Sequence, residues 1–330
     1  MTIVGRMSVF PCAVDKQQPQ IEYQENGLLG THKQPPGDAM TEITRRPLQL
    51  ITLLRLGRVS NLPTVCSNVL AGTVLAGGNP SDWRFVTVLV AMILFYVGGM
   101  YLNDYFDRAI DARERPGRPI PSGAMSATAV AVIGFGLLAA GVLTSATTGA
   151  TASVFALLLA AAIVTYDLFH KGNPFGPTMM GGCRALVYAV AAAALGAATP
   201  AAVAVPAMAI GAYVAGLSYA ARQEGLDKIT NLWPLLLLAA PAVVSFSARQ
   251  QGLAAIVVWL LMVVWSGAAV YLLARRPVAG AVPLAVGWLI AGISLCDAAM
   301  MASIGAVAAA VTAVACFLAT LLAQKYIPGT

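Results

Sequence analysis

The strongest constraint on the fold is a series of apolar runs, each about as long as a bilayer is thick. A membrane-crossing helix needs roughly 20 apolar residues, and the chain repeats such runs from residue 60 onward. Because hydrocarbon offers an open backbone no hydrogen-bond partner, each run is predicted to be an α-helix. We place the runs near 60–77, 84–102, 127–147, 150–167, 178–198, 202–221, 233–248, 253–274, 280–301 and 304–323.

The predicted fold is therefore an all-α, polytopic transmembrane bundle of nine or ten helices. The count stays open because 233–248 is short for a full crossing and the last two runs can be divided differently. Only 10% of the residues are charged, whereas a soluble domain carries about 25%. Membrane lipids are the expected surroundings. Nucleic acid is not an expected partner, since no basic run is interleaved with stacking aromatic residues.

Residues 1–48 differ in composition from the rest of the chain. They are rich in Gln, Pro, Gly and charge, as in "DKQQPQIEYQENG", and such a segment cannot bury enough apolar surface to fold alone. We predict a disordered cytoplasmic extension over 1–48 and a transmembrane domain over 49–330.

Positive charge alternates between the loops. Arg and Lys follow the second, fourth, sixth and eighth runs, and further Arg residues precede the first run. Because cytoplasmic loops carry the excess of Lys and Arg, these loops and the amino terminus are predicted to face the cytoplasm. We expect an integral protein of a bacterial inner membrane with its active site on the cytoplasmic side.

The segment "MYLNDYFDRAIDARERPGRPIPSG", from Met100 to Gly123, places acidic side chains directly after an apolar run. Asn103, Asp107 and Asp111 are spaced by four, which puts them on one stripe of a helix. Oxygen ligands of this kind suit a hard cation such as Mg²⁺, which takes one or two carboxylates, keeps waters and bridges to phosphates. The arginines that follow suit the oxygens of the same phosphorylated substrate.

A plainer interpretation is a solvated loop in which Asp and Arg pair at little net energy. Against it, the apolar helix runs into the acidic cluster without a break, and Pro116 comes only afterwards. Ionisable groups at such a helix end usually serve a function, and we therefore favour a metal and phosphate site.

Four segments resemble the UbiA superfamily of intramembrane prenyltransferases. "NDYFDRAID" is similar to the first Asp-rich motif of that family, N-D-x-x-D-x-x-x-D. "RVSNLPTVCSNVLAG" at 58–72 resembles the first helix of the family, and "RPGRPIPSG" at 115–123 resembles the sequel to the motif. "YDLFHKGNPFGPTMMGGCRALVY" at 166–188 resembles the segment that joins the fourth and fifth helices.

The resemblance implies a prenyltransferase. Mg²⁺ held by Asn103, Asp107 and Asp111 would grip an isoprenyl diphosphate and assist its ionisation. A lipophilic acceptor, often an electron-rich aromatic ring, would then capture the allylic cation. The isoprenyl tail would lie in an apolar tunnel among the helices.

The resemblance also implies individual roles. Catalytic roles fall to Asp107, Asp111 and Lys171, and substrate binding falls to Arg58, Asn61, Arg115, Arg118, Tyr166, Arg184 and Tyr219. Two plainer alternatives remain: Lys171 as a membrane-surface anchor and Tyr166 as an interfacial residue. Arg184 lies inside an apolar run, where a charge is costly unless it is paired or faces water.

Two further ionisable residues receive no catalytic role. We expect His170, in a loop, to be structural or solvated. We expect Asp297, in the ninth run, to lie near the outer surface.

The second acidic motif of the family, D-x-x-x-D, is altered here. The corresponding stretch is "GLSYAARQEGLDKI" at 216–229, which lacks the expected pair of aspartates. Glu224 either supplies a carboxylate to a second Mg²⁺ or pairs with Arg222 or Lys228 in a solvated loop. The form "SYAARQE" resembles the UbiA-like proteins called EboC.

Two functions remain open at this point. The first is a prenyltransferase that uses an isoprenyl diphosphate and a lipophilic acceptor. The second is a non-catalytic protein that binds or transports a polyprenyl or phosphorylated lipid with the same pocket. An ion-coupled transporter is less consistent, because transporters place their coupling groups near the midplane of the membrane.

Overall fold

The structure is a computed structural model. In its described residues all regular secondary structure is helical, as the sequence predicts. The structure describes residues 50–196, 203–222, 231, 233–275 and 280–327. The α-helices are α1 (50–56), α2 (Leu62–Leu75), α3 (Trp83–Glu114), α4 (Ala127–Ala146), α5 (Ala150–Phe169), α6 (Gly176–Leu195), α7 (Ala204–Arg222), α8 (Ala240–Val244), α9 (Leu253–Arg275), α10 (Ala281–Ala302) and α11 (Val307–Gln324).

Eight helices in the described part of the chain are long and apolar enough to cross a membrane: α3 to α7 and α9 to α11. A ninth apolar helix, Val59–Leu75, is shorter and combines a 3₁₀ turn with α2. The prediction of nine or ten helices is therefore confirmed. The predicted extension, 1–48, lies outside the described residues.

The seventh predicted run, 233–248, is the exception to the regular pattern. Two 3₁₀ helices, Trp233–Ala239 and Phe246–Gln250, flank the five-residue α8. Pro234 and Pro241 lie in this segment, and proline lacks the N–H that an α-helix interior needs. The run is thus a broken helical segment and not one continuous α-helix.

Helix α3 is longer than a bilayer crossing requires. Its 32 residues span about 48 Å at the rise of an α-helix, against a hydrocarbon core of about 30 Å. The Asp82 carboxylate caps its start by accepting a hydrogen bond from the Arg84 N–H, and hydrogen bonds from Arg84 lower the pKa of Asp82. Helices usually end before the residue that precedes a proline, and α3 ends at Glu114, two residues before Pro116. Its last turns therefore carry the acidic stripe beyond the apolar span.

Helix α10 lies at the centre of the bundle. Every residue from Ala291 to Ala302 is buried, and α10 packs on α2, α7, α9 and α11. Helix α2 also packs closely on α6, since a Cβ added to Gly72 would lie 2.9 Å from the Tyr188 Cα. This close approach brings polar side chains of α2, α6 and α10 together inside the bundle.

Candidate functional site

A cavity of about 880 Å³ lies beside the last turns of α3. The loop between α5 and α6, the end of α7 and the first half of α10 complete its walls. Ten of the predicted site residues line it: Arg58, Asn61, Asn103, Asp107, Asp111, Arg115, Arg118, Tyr166, Lys171 and Arg184. Residues that are up to 126 positions apart in the sequence therefore surround one space.

The predicted stripe forms one wall of this cavity. Asn103, Asp107 and Asp111 are 7%, 6% and 3% exposed, and all three contact the cavity. The two carboxylates and the Asn103 amide are thus buried within the protein, which argues against the interpretation of a solvated loop.

Asp107 contacts two basic side chains from the loop between α5 and α6. Lys171 Nζ lies 3.3 Å from Asp107 Oδ2, and His170 Nε2 lies 3.5 Å from the same oxygen. Of the two alternatives expected for His170, structural or solvated, the structure agrees with the first: the residue is 8% exposed and its ring stacks on Tyr166 at 4.7 Å. Lys171 turns its charge towards the carboxylate at the cavity.

Arg118 joins the loop after α3 to two carboxylates of that helix. Its Nη1 donates to Asp104 Oδ1 at 2.8 Å and to Asp111 Oδ2 at 3.1 Å. Arg58 approaches Asp104 from another side, at 3.8 Å. Asp104 lies off the predicted stripe, and its buried carboxylate serves to hold two cationic side chains near the cavity.

Asp167 is a site residue that the sequence interpretation missed. Asn103 Nδ2 donates to Asp167 Oδ1 at 3.3 Å, and Asp167 is only 4% exposed. Its other oxygen, Oδ2, has no hydrogen-bond partner among the described residues. An acidic residue inside an apolar run was the available signal, because membrane helices rarely bury a carboxylate without a function.

Arg184 lies where the cavity meets a second, apolar pocket of about 90 Å³. Its Nη1 donates to Asn68 Oδ1 at 2.7 Å and its Nη2 donates to Thr64 Oγ1 at 3.1 Å. Its guanidinium also lies 5.8 Å from the centre of the Tyr96 ring. The charge is therefore both hydrogen-bonded and in contact with a cavity, as the sequence argument required.

The position of Asp297 differs from the one expected from the sequence. The sequence placed it near the outer surface, but the structure buries it completely, between α2, α6 and α10. Asn68 Nδ2 donates to both of its oxygens, at 3.0 and 2.8 Å. The hydroxyls of Ser67 and Tyr188 donate to it as well. Hydropathy could not reveal these partners, because they come from distant helices.

Arg58 and Asn61 line the cavity at the start of α2. Arg58 has a φ of 41°, the only positive φ of a non-glycine residue in the described ranges, and such a conformation costs of order 1–3 kcal/mol. Asn61 is 4% exposed and accepts a hydrogen bond from Gln324 Nε2 at 3.1 Å. The strained turn keeps the Arg58 side chain near Asp104.

Tyr219 is a predicted site residue that does not line the cavity. Its hydroxyl donates to the Asn231 carbonyl at 2.8 Å. Glu224, the candidate ligand of a second Mg²⁺, lies outside the described residues.

Arg222 supports the loop that carries Lys171 and was not among the predicted site residues. Its guanidinium donates to the carbonyl of Asn173 at 2.7 Å and to that of His170 at 2.6 Å. Arg222 also lines the cavity. It thereby holds the loop whose basic side chains contact Asp107.

The donor set at the cavity fits Mg²⁺ in its chemistry. Within the described ranges, no group of three or more His, Cys, Asp or Glu could hold a metal by itself. Mg²⁺ does not need one, because it uses one or two carboxylates and completes its octahedron with waters and phosphate oxygens. Asp107 and Asp111 would supply the carboxylates, and Asn103 would supply a neutral oxygen.

The sequence profile of the UbiA prenyltransferase family matches residues 65–276, which is more than half of the chain. The chain belongs to the UbiA prenyltransferase family. The match covers the acidic stripe and the loop that carries Lys171, and it also covers Arg184 on α6. The UbiA resemblance predicted from the sequence is therefore confirmed.

Among curated proteins, similar UbiA relatives are digeranylgeranylglyceryl phosphate synthases. That of Haloquadratum walsbyi is 39% identical over 127 residues, which are 38% of this chain and 43% of the relative. That of Methanothrix thermoacetophila is 35% identical over 125 residues, which are 38% of this chain and 47% of the relative. The matched segment thus spans less than half the length of each relative.

Solved UbiA structures share the fold. A structure of digeranylgeranylglyceryl phosphate synthase has a TM-score of 0.56 and 19% identity, and covers 79% of this chain and 99% of that chain. The apo structure of a UbiA homologue from Aeropyrum pernix K1 has a TM-score of 0.51 and 16% identity, and covers 81% and 98%. At these identities the likeness shows the helical architecture alone. The EboC resemblance stays a prediction.

Proposed function

We propose that the protein transfers an isoprenyl group from an isoprenyl diphosphate to a lipophilic acceptor. One observation carries the proposal: buried carboxylates and cationic side chains face a cavity that adjoins an apolar pocket. The two spaces share five lining residues: Tyr96, Met100, Tyr166, Met180 and Arg184. An isoprenyl diphosphate has an anionic head and an apolar tail, and the two spaces match these parts in polarity.

The diphosphate would bind at the end of the cavity where α3 carries its carboxylates. Lys171 and Arg118 would donate to its oxygens, since both already lie within 3.3 Å of a stripe carboxylate. Asn103, Asp107 and Asp111 would hold Mg²⁺. When bound, Mg²⁺ supplies positive charge that stabilises the diphosphate as a leaving group.

The transfer breaks the bond between the isoprenyl carbon and the diphosphate oxygen, and the electron pair leaves with the diphosphate. The acceptor forms a bond to the same carbon and loses a proton, which the departing diphosphate accepts. Met100 and Met180 would exclude water from the isoprenyl chain, and the Tyr166 ring, which stacks on His170 beside Asp107, would favour positive charge at the reacting carbon. These three side chains line both the cavity and the apolar pocket.

The acceptor is the less defined substrate. The sequence resemblance favours an aromatic ring or another small lipophilic molecule. The relatives are named digeranylgeranylglyceryl phosphate synthases, and that name favours a phosphorylated glycerol lipid. We propose that such a lipid is the first acceptor class to test.

The cavity would open on the cytoplasmic side. Its rim carries the basic residues Arg115, Lys171 and Arg222, and positive charge near helix ends marks the cytoplasmic face of membrane proteins.

The test is incubation of the purified chain with Mg²⁺, radiolabelled geranylgeranyl diphosphate and either a phosphorylated glycerol lipid or an aromatic acceptor. We expect label to move into a new lipophilic product with one acceptor class. Binding of the diphosphate without transfer to any acceptor would support the non-catalytic lipid-binding alternative. Arg108 is a matched control position, because it is exposed on α3 and donates to the Tyr105 carbonyl outside the cavity; Arg108→Gln should leave transfer unchanged.

A further inference from the structure

A buried chain of hydrogen bonds connects Asp297 to the cavity. Asp297 accepts from the Asn68 amide nitrogen, and the Asn68 amide oxygen accepts from Arg184. A carboxylate only accepts hydrogen bonds and a guanidinium only donates them. The Asn68 side chain must therefore turn its NH2 group towards Asp297 and its oxygen towards Arg184. The residues come from α10, α2 and α6, and α2 packs against both of the other helices.

Arg184 lacks an ion-pair partner among the described residues, although it lies deep within a membrane helix. Its two hydrogen bonds from the guanidinium reach neutral oxygens, those of Asn68 and Thr64. A guanidinium carries five N–H donors, and this one also lines the 880 Å³ cavity. A buried cation is costly unless it is paired, which makes Arg184 a binding point for an anion that enters the cavity.

Arg184 and the acidic stripe lie at different levels of the cavity. Arg184 lies beside Tyr96, which is eleven positions before Asp107 on α3. At the rise of an α-helix the two Cα atoms are about 16 Å apart along the helix axis, so a diphosphate held by Lys171 and Arg118 would leave Arg184 to bind a second anion. The cavity therefore has two cationic regions, one near Lys171 and Arg118 and one at Arg184.

We propose that Arg184 recognises an anionic group on the acceptor and that Asp297, acting through Asn68, is the positioning residue that holds Arg184 there. The proposal rests on the proposed function, which supplies the diphosphate for the first cationic region. Asp297 fixes the amide of Asn68, and the amide oxygen directs the guanidinium to the boundary between the cavity and the apolar pocket. An acceptor with a phosphate or carboxylate and an apolar tail matches that boundary.

The test measures equilibrium binding of radiolabelled dodecyl phosphate to the purified full chain in neutral detergent, with dodecanol as the uncharged comparison. Arg184→Met should weaken dodecyl phosphate binding about tenfold or more, because a charge-assisted hydrogen bond is lost, and should leave dodecanol binding unchanged. Asp297→Asn should weaken it at least about threefold. The double variant should bind like Arg184→Met alone, since Asp297 acts only through Arg184.

Ser67→Ala is the matched control for a purely structural role. It removes hydrogen bonds to Asp297, Ser294 and the Thr64 carbonyl, but none to the side chain of Asn68 or Arg184, so it should lower Tm without weakening binding. Asn68→Ala breaks the same chain one link nearer to Arg184, and it replaces Asp297→Asn if that variant does not fold.

Three results would overturn the proposal. The first is that Asp297→Asn lowers only Tm. The second is that its effect adds to that of Arg184→Met. The third is that Lys171→Met abolishes binding while Arg184→Met leaves it intact. The binding measurement needs no turnover, and its failure is therefore distinguishable from a failure of the transfer assay.

Discussion

Asp107 and Asp111 each contact a cation that comes from a loop and not from their own helix. Lys171 reaches Asp107 from the loop between α5 and α6, and Arg118 reaches Asp111 from the loop after α3. The four side chains thus place opposite charges on one cavity before substrate binds. A diphosphate with its metal would contact the same cations and carboxylates.

Removal of the Lys171 charge should weaken diphosphate binding. Lys171→Met should raise the KM for geranylgeranyl diphosphate about 10- to 100-fold, because a hydrogen bond between charged groups is lost. Lys325→Met is the matched control, since Lys325 is exposed and does not line the cavity. Steady-state kinetics with both variants would check this, and an equal effect of the two would contradict a specific role for Lys171.

Asp167 should influence metal binding through Asn103. Outer-sphere partners of metal ligands typically change affinity 10- to 100-fold, so Asp167→Ala should weaken Mn²⁺ binding about tenfold, measured by electron paramagnetic resonance. Asp167→Asn keeps an oxygen that can accept from the Asn103 amide and should restore most of the affinity. Equal Mn²⁺ binding by Asp167→Ala and the natural chain would contradict this role.

At the residue scale, the sequence predicts which side chains lie together on one helix better than it predicts which side chains meet between helices. The spacing of Asn103, Asp107 and Asp111 is local, and helical geometry alone puts them on one stripe. Asp167 and Asp297 acquire their partners only when distant helices pack. No period in the sequence reveals that packing.

At the scale of elements, the close approach of α2 and α6 supports the site. Gly72 permits it, because a Cβ there would lie 2.9 Å from the Tyr188 Cα. Gly72→Val should therefore destabilise the protein by about 1–3 kcal/mol, seen as a lower Tm in detergent. Gly136→Val is the matched control on α4, where an added Cβ meets nothing within 4 Å. A similar Tm for the two variants would contradict the packing.

Hydropathy located the helices but not all of their ends. The apolar run 84–102 ends where composition changes, whereas α3 continues to Glu114. Polar residues can extend a helix past the bilayer because water satisfies their side chains. At 233–248 hydropathy instead overestimates the helix, because the two prolines interrupt an apolar run that was predicted to be one helix.

At the scale of the whole molecule, the loops at the two ends of α4 should lie on opposite sides of the membrane. In a cysteine-free background, Ser122→Cys should react with a membrane-impermeant maleimide only after bacterial cells are permeabilised. Thr147→Cys, at the other end of α4, should react in intact cells. The reverse pattern would contradict a cytoplasmic cavity. The bacterial inner membrane stays a prediction from the sequence.

The class of the whole molecule was predictable because it depends on composition and on a compact motif. The acceptor was not, since Arg184, Asn68 and Asp297 come from three helices and their meeting depends on the packed bundle.

The release of pyrophosphate tests the central claim most directly. Purified protein is given geranylgeranyl diphosphate and the acceptor, with Mg²⁺ or with a chelator, and pyrophosphate and prenylated product are counted together. We expect equal amounts of both from the natural chain, none with the chelator, and a loss of about 100-fold or more in Asp107→Ala with Tm retained. Full release by Asp107→Ala, or diphosphate binding without release with any acceptor, would contradict the account.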